Sequence, residues 1–345
     1  MKTFLRILLL VALFVNYGCE KPKSEEKAPT YTIVNNGSGG VTSISDTEDS
    51  SSPEVVQAVP SVSNEAYPQN IPIMFFLNDK IYLNSLKDNF IVTVNGKIVG
   101  GTISVNTASN GFAILIFTPS TAFGSGKEIT VTLKTGIQDD GGNPFLSEFS
   151  IMFTTSASSG TNFDSNKSFE SGTSGVTFIG DGAIMTGTNG AISPSDGSKF
   201  CAITSGNQLI SPNNSIGNTS SMAILGPIGS NISNLTFNYD FVSAEFNDYV
   251  GSIYDDCAMI TVTGPHGSFS QMITSVNLTG SSTTTSCLNF AGLPDAGDDY
   301  AGHTGWKNSS FSFSSVGSPA FIIFTVTDVS DNIFSSALII DKVSY

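Results

Sequence analysis

Arginine is almost absent. Arg6 is the only one in 345 residues, and the chain carries 14 Lys and Arg against 29 Asp and Glu, a net charge of −15. From residue 162 onward four lysines (167, 199, 307 and 342) stand against fifteen acidic residues. A protein that grips phosphate backbones needs clustered cations to release counterions, so this balance excludes nucleic acid and anionic membrane surfaces as partners. Histidine is equally scarce: only His266 and His303 occur. There is no His-Glu-x-x-His and no Gly-x-Ser-x-Gly, which excludes zincin chemistry and the nucleophile-elbow hydrolases. His266 lies in Gly-Pro-His-Gly and reads as a hairpin turn. His303, in Gly-His-Thr-Gly-Trp, reads as a structural residue of a loop packed on Trp306, the only tryptophan. The four cysteines form no Cys-x-x-Cys, so a zinc site is disfavoured. No apolar run after the N-terminus is long enough to span a bilayer.

What is present is the grammar of strands and turns. Only 12% of residues are charged, Phe is abundant, and short β-branched and aromatic runs alternate with Gly, Ser, Asn and Pro clusters. The expected fold class is all-β: a signal segment and disordered tether, an Ig-like β-sandwich, then a jelly-roll-like β-sandwich.

Lys2 and Arg6 form a basic n-region before the apolar stretch Ile7–Val15, the pattern of an export signal. Asn16-Tyr-Gly-Cys19 follows and resembles the lipobox of bacterial lipoproteins. In that family the Cys is diacylated and begins the mature chain. Asn16 departs from the Leu-like residue preferred there. The resemblance implies a chain exported and held at the cell envelope by a lipid bilayer, through acylated Cys19, with residues 1–19 as the signal. Residues 20–52 are polar, Ser-rich and acidic, and read as a disordered tether, with Tyr31-Thr-Ile-Val34 a small apolar island in it.

The first module is expected over 53–156. Ile71–Leu77, Phe90–Val94, Ala113–Phe117, Glu128–Leu133 and Glu148–Thr155 read as strands, and Asn95-Gly96 is a strong hairpin signal. The segment Asn78-Asp-Lys-Ile81 with Phe117-Thr-Pro119, Gly136-Ile-Gln-Asp139, Gly142-Asn143 and Phe153-Thr-Thr155 is similar to the SbsA-type bacterial Ig-like domain. That resemblance implies a spacer or display module with no catalytic residues. Ser156–Gly160 reads as a linker, so a second, separately folded module is expected over 161–345. There Phe321-Ile-Ile-Phe-Thr-Val326 is nearly continuous and predicts a central strand. The run Asn238–Phe246, then Tyr249–Asp256, His303–Trp306, and Thr327–Asn332 with Ser336–Asp341, resembles the choice-of-anchor group of exported bacterial domains. It implies a surface-displayed sandwich and no defined ligand.

Three constellations are candidates for chemistry. Glu245, Asp255, Asp256, Asp328 and Asp331 fall at strand ends and turns, and calcium takes six to eight such oxygens; the alternative is turn formation by Asp side chains. EF-hand spacing and the Gly-Gly-x-Gly-x-Asp repeat are both missing. Tyr254, Tyr300 and Trp306 could form a platform for sugar rings, or Trp306 could serve the core. After Cys19 there remain Cys201, Cys257 and Cys287. Export permits disulfides, and Cys257 and Cys287, flanking the Gly-Pro-His-Gly hairpin and its return, are the expected pair. The function expected is a non-catalytic adhesion or ligand-binding module recognising a surface protein or glycan. The rival is a secreted polysaccharide hydrolase acting through paired carboxylates.

Overall fold

The computed structural model describes residues 31–37, 39–45, 50–60, 66–69, 71–107, 113–156, 163–190, 192–206, 220–246, 248–280, 284–286, 301–330 and 335–345. The first module contains β1 (Tyr31–Asn35), β2 (Gly40–Val41), β3 (Val55–Val59), β4 (Ala66–Tyr67), β5 (Ile73–Leu77), β6 (Ile81–Tyr82), β7 (Phe90–Val94), β8 (Lys97–Ile98), β9 (Gly101–Thr107), β10 (Ala113–Pro119), β11 (Glu128–Leu133) and β12 (Phe149–Thr155). The head contains β13 (Val176–Ile179), β14 (Asp181–Thr186), β15 (Lys199–Thr204), β16 (Ser220–Ile228), β17 (Asn234–Ser243), β18 (Cys257–Gly264), β19 (Gly267–Ser275), α1 (Val276–Thr279), β20 (Thr284–Ser286), β21 (Ala301–His303), β22 (Lys307–Ser312), β23 (Ala320–Thr327) and β24 (Ser336–Ser344). The chain is nearly all β, as its composition predicts.

Four of the five sheets among the described residues stack in layers, the fifth being the short pair β2-β6. The first module has an outer sheet β4-β12-β11-β7-β8 and an inner sheet β1-β9-β10-β5-β3. The head has an inner sheet β13-β16-β23-β18-β19 and an outer sheet β14-β15-β24-β17-β21-β20, with β22 also pairing β17. Burial follows the layering. In β11 and β12, on an outer sheet, buried residues alternate with more exposed ones, the pattern of a sheet with one face in water. In β10 every residue is buried, and in β23 all but the last. Those strands have protein on both faces, which is why their sequences run apolar without alternation. One apolar cluster contains the core of the first module together with Ile179, Met222, Ile224, Phe321 and Ile323 of the head. A second fills the head between its own sheets.

The Asn95-Gly96 hairpin forms as predicted: both residues have positive φ (47° and 76°), and Val94 pairs with Lys97 across the turn. The predicted tether needs correction. Tyr31–Val34 lies in β1, paired in parallel with β9 from Tyr31↔Gly101 to Asn35↔Val105. The Tyr31 ring packs edge-on against Phe90 and Phe117, and its hydroxyl accepts a hydrogen bond from Val92 N at 3.0 Å. Burial holds this phenol above its usual pKa, an effect partly opposed by that bond. The island is a strand because distant aromatics supply the burial that its neighbours in sequence lack. Gly40–Val41, also within 20–52, pairs with β6.

Candidate functional site on the head

Along β17, Leu235, Phe237 and Phe241 enter the head core, while Val242 turns to the opposite face of the outer sheet. Asp240 shares that face. There Ile192, Phe200, Ala202, Val242, Ala337 and Ile339 make a small separate core, on which Met185 and Trp306 pack. Asp240 sits beside it with a side chain only 2% exposed. Its Oδ2 lies 3.0 Å from His303 Nδ1, and its Oδ1 lies 3.1 Å from the Thr304 hydroxyl, which itself accepts from Phe241 N. Burial raises the Asp240 carboxyl above the usual range, and the bond from His303 works against that rise. This contact to the carboxylate orients the imidazole ring. The His303 side chain is 13% exposed. His303 is therefore not simply loop packing on Trp306: it ends β21, opposite Val242 of β17. The sequence signal for this pair was weak, an Asp and a His more than sixty residues apart that only the strand register brings together.

Trp306 donates its indole N–H to Ser193 O at 2.8 Å and meets Phe200 edge-on. It thus staples the 193–198 loop to the sheet while remaining half-buried. Asp341 holds the same loop. Its Oδ2 accepts from Ser195 N, Ser195 Oγ and Asp196 N at 2.8, 3.0 and 2.8 Å, and its Oδ1 accepts from Lys342 N. Burial raises its pKa against the pull of these donors. Asn238, paired opposite Asp341, donates to Ser195 Oγ, and Asn308 donates to Asn238 Oδ1. The outer face of the sheet is thus a fixed polar and aromatic surface. Tyr254 belongs elsewhere: its ring meets Tyr249 edge-on, in the 248–256 loop. Tyr300 lies outside the described residues.

The acidic residues are partly gathered. Glu245, Asp256 and Asp328 are all buried. Asp256 N reaches Glu245 Oε2 at 3.4 Å, and Asp256 Oδ1 accepts from Val329 N at 2.8 Å, so three segments meet at one end of the head. Asp255 faces another way, its Oδ1 accepting from Asn277 N in α1, a long-range bond that ties the 248–256 loop to that helix. Asp331 lies outside the described residues. Among the described residues, no group of three or more His, Cys, Asp and Glu side chains is arranged to hold a metal ion.

Cys257 is buried at the start of β18; Cys287 and Cys19 lie outside the described residues. Cys201 is a buried thiol whose pKa burial and the nearby Asp341 charge push up, so it is unreactive packing.

Residues 49–155 match the family model of the bacterial Ig-like domain. No curated protein matches the chain. Among solved structures, a carbohydrate-binding module described as TmCBM61 in complex with β-1,4-galactotriose is 13% identical; the match covers 53% of this chain and 95% of that one, with a TM-score of 0.29. The K3 cleaved adhesin domain of Lys-gingipain from Porphyromonas gingivalis is 12% identical, with 50% and 95% covered and a TM-score of 0.26. Native alpha-2-macroglobulin from Escherichia coli, spanning domains MG0-NIE-MG1, is 10% identical, with 56% and 46% covered and a TM-score of 0.23. Likenesses this loose carry no argument about function. The comparisons place a bacterial Ig-like domain in the first module and leave the head to be read from its own geometry.

Proposed function

We propose that the chain is a non-catalytic surface module that binds a glycan or a surface protein through the outer face of the head. The observation carrying this reading is the pair of partly buried side chains on that face, His303 and Trp306, fixed from below by Asp240 and by the loop that Asp341 pins. A binding surface needs such pre-organised polar and aromatic groups. The first module supports the reading from the other side, because it packs against the inner sheet and leaves the outer face turned away from it. The test is a glycan array and a binding screen against cell-surface proteins, using the wild type, His303→Ala and Trp306→Ala. Loss of about tenfold or more in affinity with either substitution is expected of a central contact. Binding untouched by both overturns the assignment. Polysaccharides incubated with the chain should gain no new reducing ends; turnover that Asp240→Asn abolishes would place the chain among hydrolases instead.

Two further parts of this reading concern attachment and calcium. Acylation at Cys19 would hold the chain at the envelope; mass spectrometry of the N-terminal peptide after detergent extraction should find a lipidated Cys19. Calcium binding at the end where Glu245, Asp256 and Asp328 are buried would require these side chains to draw together from their present arrangement. Millimolar calcium should then raise the melting temperature relative to EDTA, and an equal melting temperature leaves these residues as turn and core groups.

A further inference from the structure

We infer that the first module is the permanent partner of the head, so that the two work as one cooperative body rather than as a spacer carrying a separate domain. The inner sheets meet face to face, and the seam has two halves. One half is apolar. Ile116 pairs with Met74 and Ser104, and Ile114 with Phe76 and Asn106, which puts Met74, Ile114 and Ile116 on the face turned to the head. They share one cluster with Ile179, Met222, Ile224, Phe321 and Ile323. The other half is a chain of neutral hydrogen bonds. Asn36 donates to Ser268 Oγ at 3.0 Å, and Ser268 donates to Asn106 Oδ1 at 2.8 Å. Asn106 then donates to Ser270 Oγ at 2.7 Å, and that hydroxyl lies 2.7 Å from Thr261 Oγ1. Thr102 donates to Pro265 O at 2.8 Å, Thr118 and Thr263 share a buried bond, and Ser220 donates to Gln57 at the far edge.

Polar groups this buried are matched in both directions across the seam, and each half would lose its partners on separation. An isolated first module would expose Met74, Ile114 and Ile116 beside unpaired amides, and an isolated head would expose Met222, Ile224 and Ile323. Surfaces of this kind belong to permanent interfaces and not to domains that part in use. The seam also begins earlier than the family match: Asn36 and β1 precede residue 49.

The experiment uses the whole chain with a protease site inserted in the 157–162 segment. After folding and complete cleavage, the two pieces should co-elute on gel filtration without denaturant. Calorimetry of the uncut chain should give a single transition, with equal calorimetric and van't Hoff enthalpies. In Ile116→Glu the cut pieces should separate. If that variant does not fold, the milder Asn106→Ala with Ser268→Ala should lower the concentration of urea at which the cut pieces part. Separation of the wild-type pieces under native conditions, or two transitions in the uncut wild type, overturns the inference.

Discussion

Single side chains show how costly polar groups are in this fold. Asp341 answers four donors from three residues and so ties the 193–198 loop to the sheet. Asp341→Ala should therefore destabilise the chain by about 1–2 kcal/mol, the usual scale for losing hydrogen bonds to a charged group whose donors can still reach water, measured by urea unfolding. Ser104 argues in the opposite direction. It is fully buried in the seam and its hydroxyl has no hydrogen-bond partner among the described residues. Ser104→Ala should raise stability by about 1 kcal/mol by removing an unsatisfied group; a loss of stability in urea would show that the hydroxyl is satisfied by water. Tyr345 gives a pH dependence. Its hydroxyl donates to Asp164 Oδ1 at 2.7 Å, and burial first, then that carboxylate, raise its pKa above the ordinary tyrosine value. A raised folded pKa means that the stability is present below about pH 10 and is lost as pH climbs toward the folded value. Tyr345→Phe should flatten the fall in stability between neutral and strongly alkaline pH; an unchanged slope would refute the attribution.

At the scale of the element, β1 is the most informative. Tyr31→Ala removes two edge-on ring contacts and the acceptor for Val92 N, and should cost roughly 2 kcal/mol, read from the shift in the urea midpoint. A neutral result would return this segment to the tether that its composition suggested. Legibility in the sequence followed the range of the interactions. Alternation in Glu128–Leu133, the Asn95-Gly96 turn and the unbroken apolar run at Phe321–Val326 are local, and each foretold its element. β9 reads Gly-Thr-Ile-Ser-Val-Asn-Thr, which looks like a strand with one wet face, yet Thr102, Ser104 and Asn106 are buried because a second module covers that face, bonding to Thr102 and Asn106. The same holds for the site. Trp306 was visible because it is unique, whereas the union of Asp240 with His303 depends on β21 pairing with β17, a register no local pattern encodes. Asp255, chosen with the acidic residues, instead accepts from Asn277 N within α1.

The whole molecule combines a charge of −15 with a seam whose hydrogen bonds, among the described residues, join neutral groups. Salt should screen the self-repulsion of the surface without weakening the seam. The melting temperature should rise between about 0.05 and 1 M sodium chloride, where the Debye length falls to a few ångströms; a fall would mean that ion pairs hold the layers together. The parallel pairing of β1 with β9 has a mechanical consequence. The chain enters the body through a strand whose ladder runs alongside its neighbour over five residue pairs. A pull along that strand's axis strains every rung at once, in shear, instead of peeling the rungs one by one. A chain tethered by its N-terminal end and tugged through a bound ligand would meet such a load first at β1, the strand best placed to bear it.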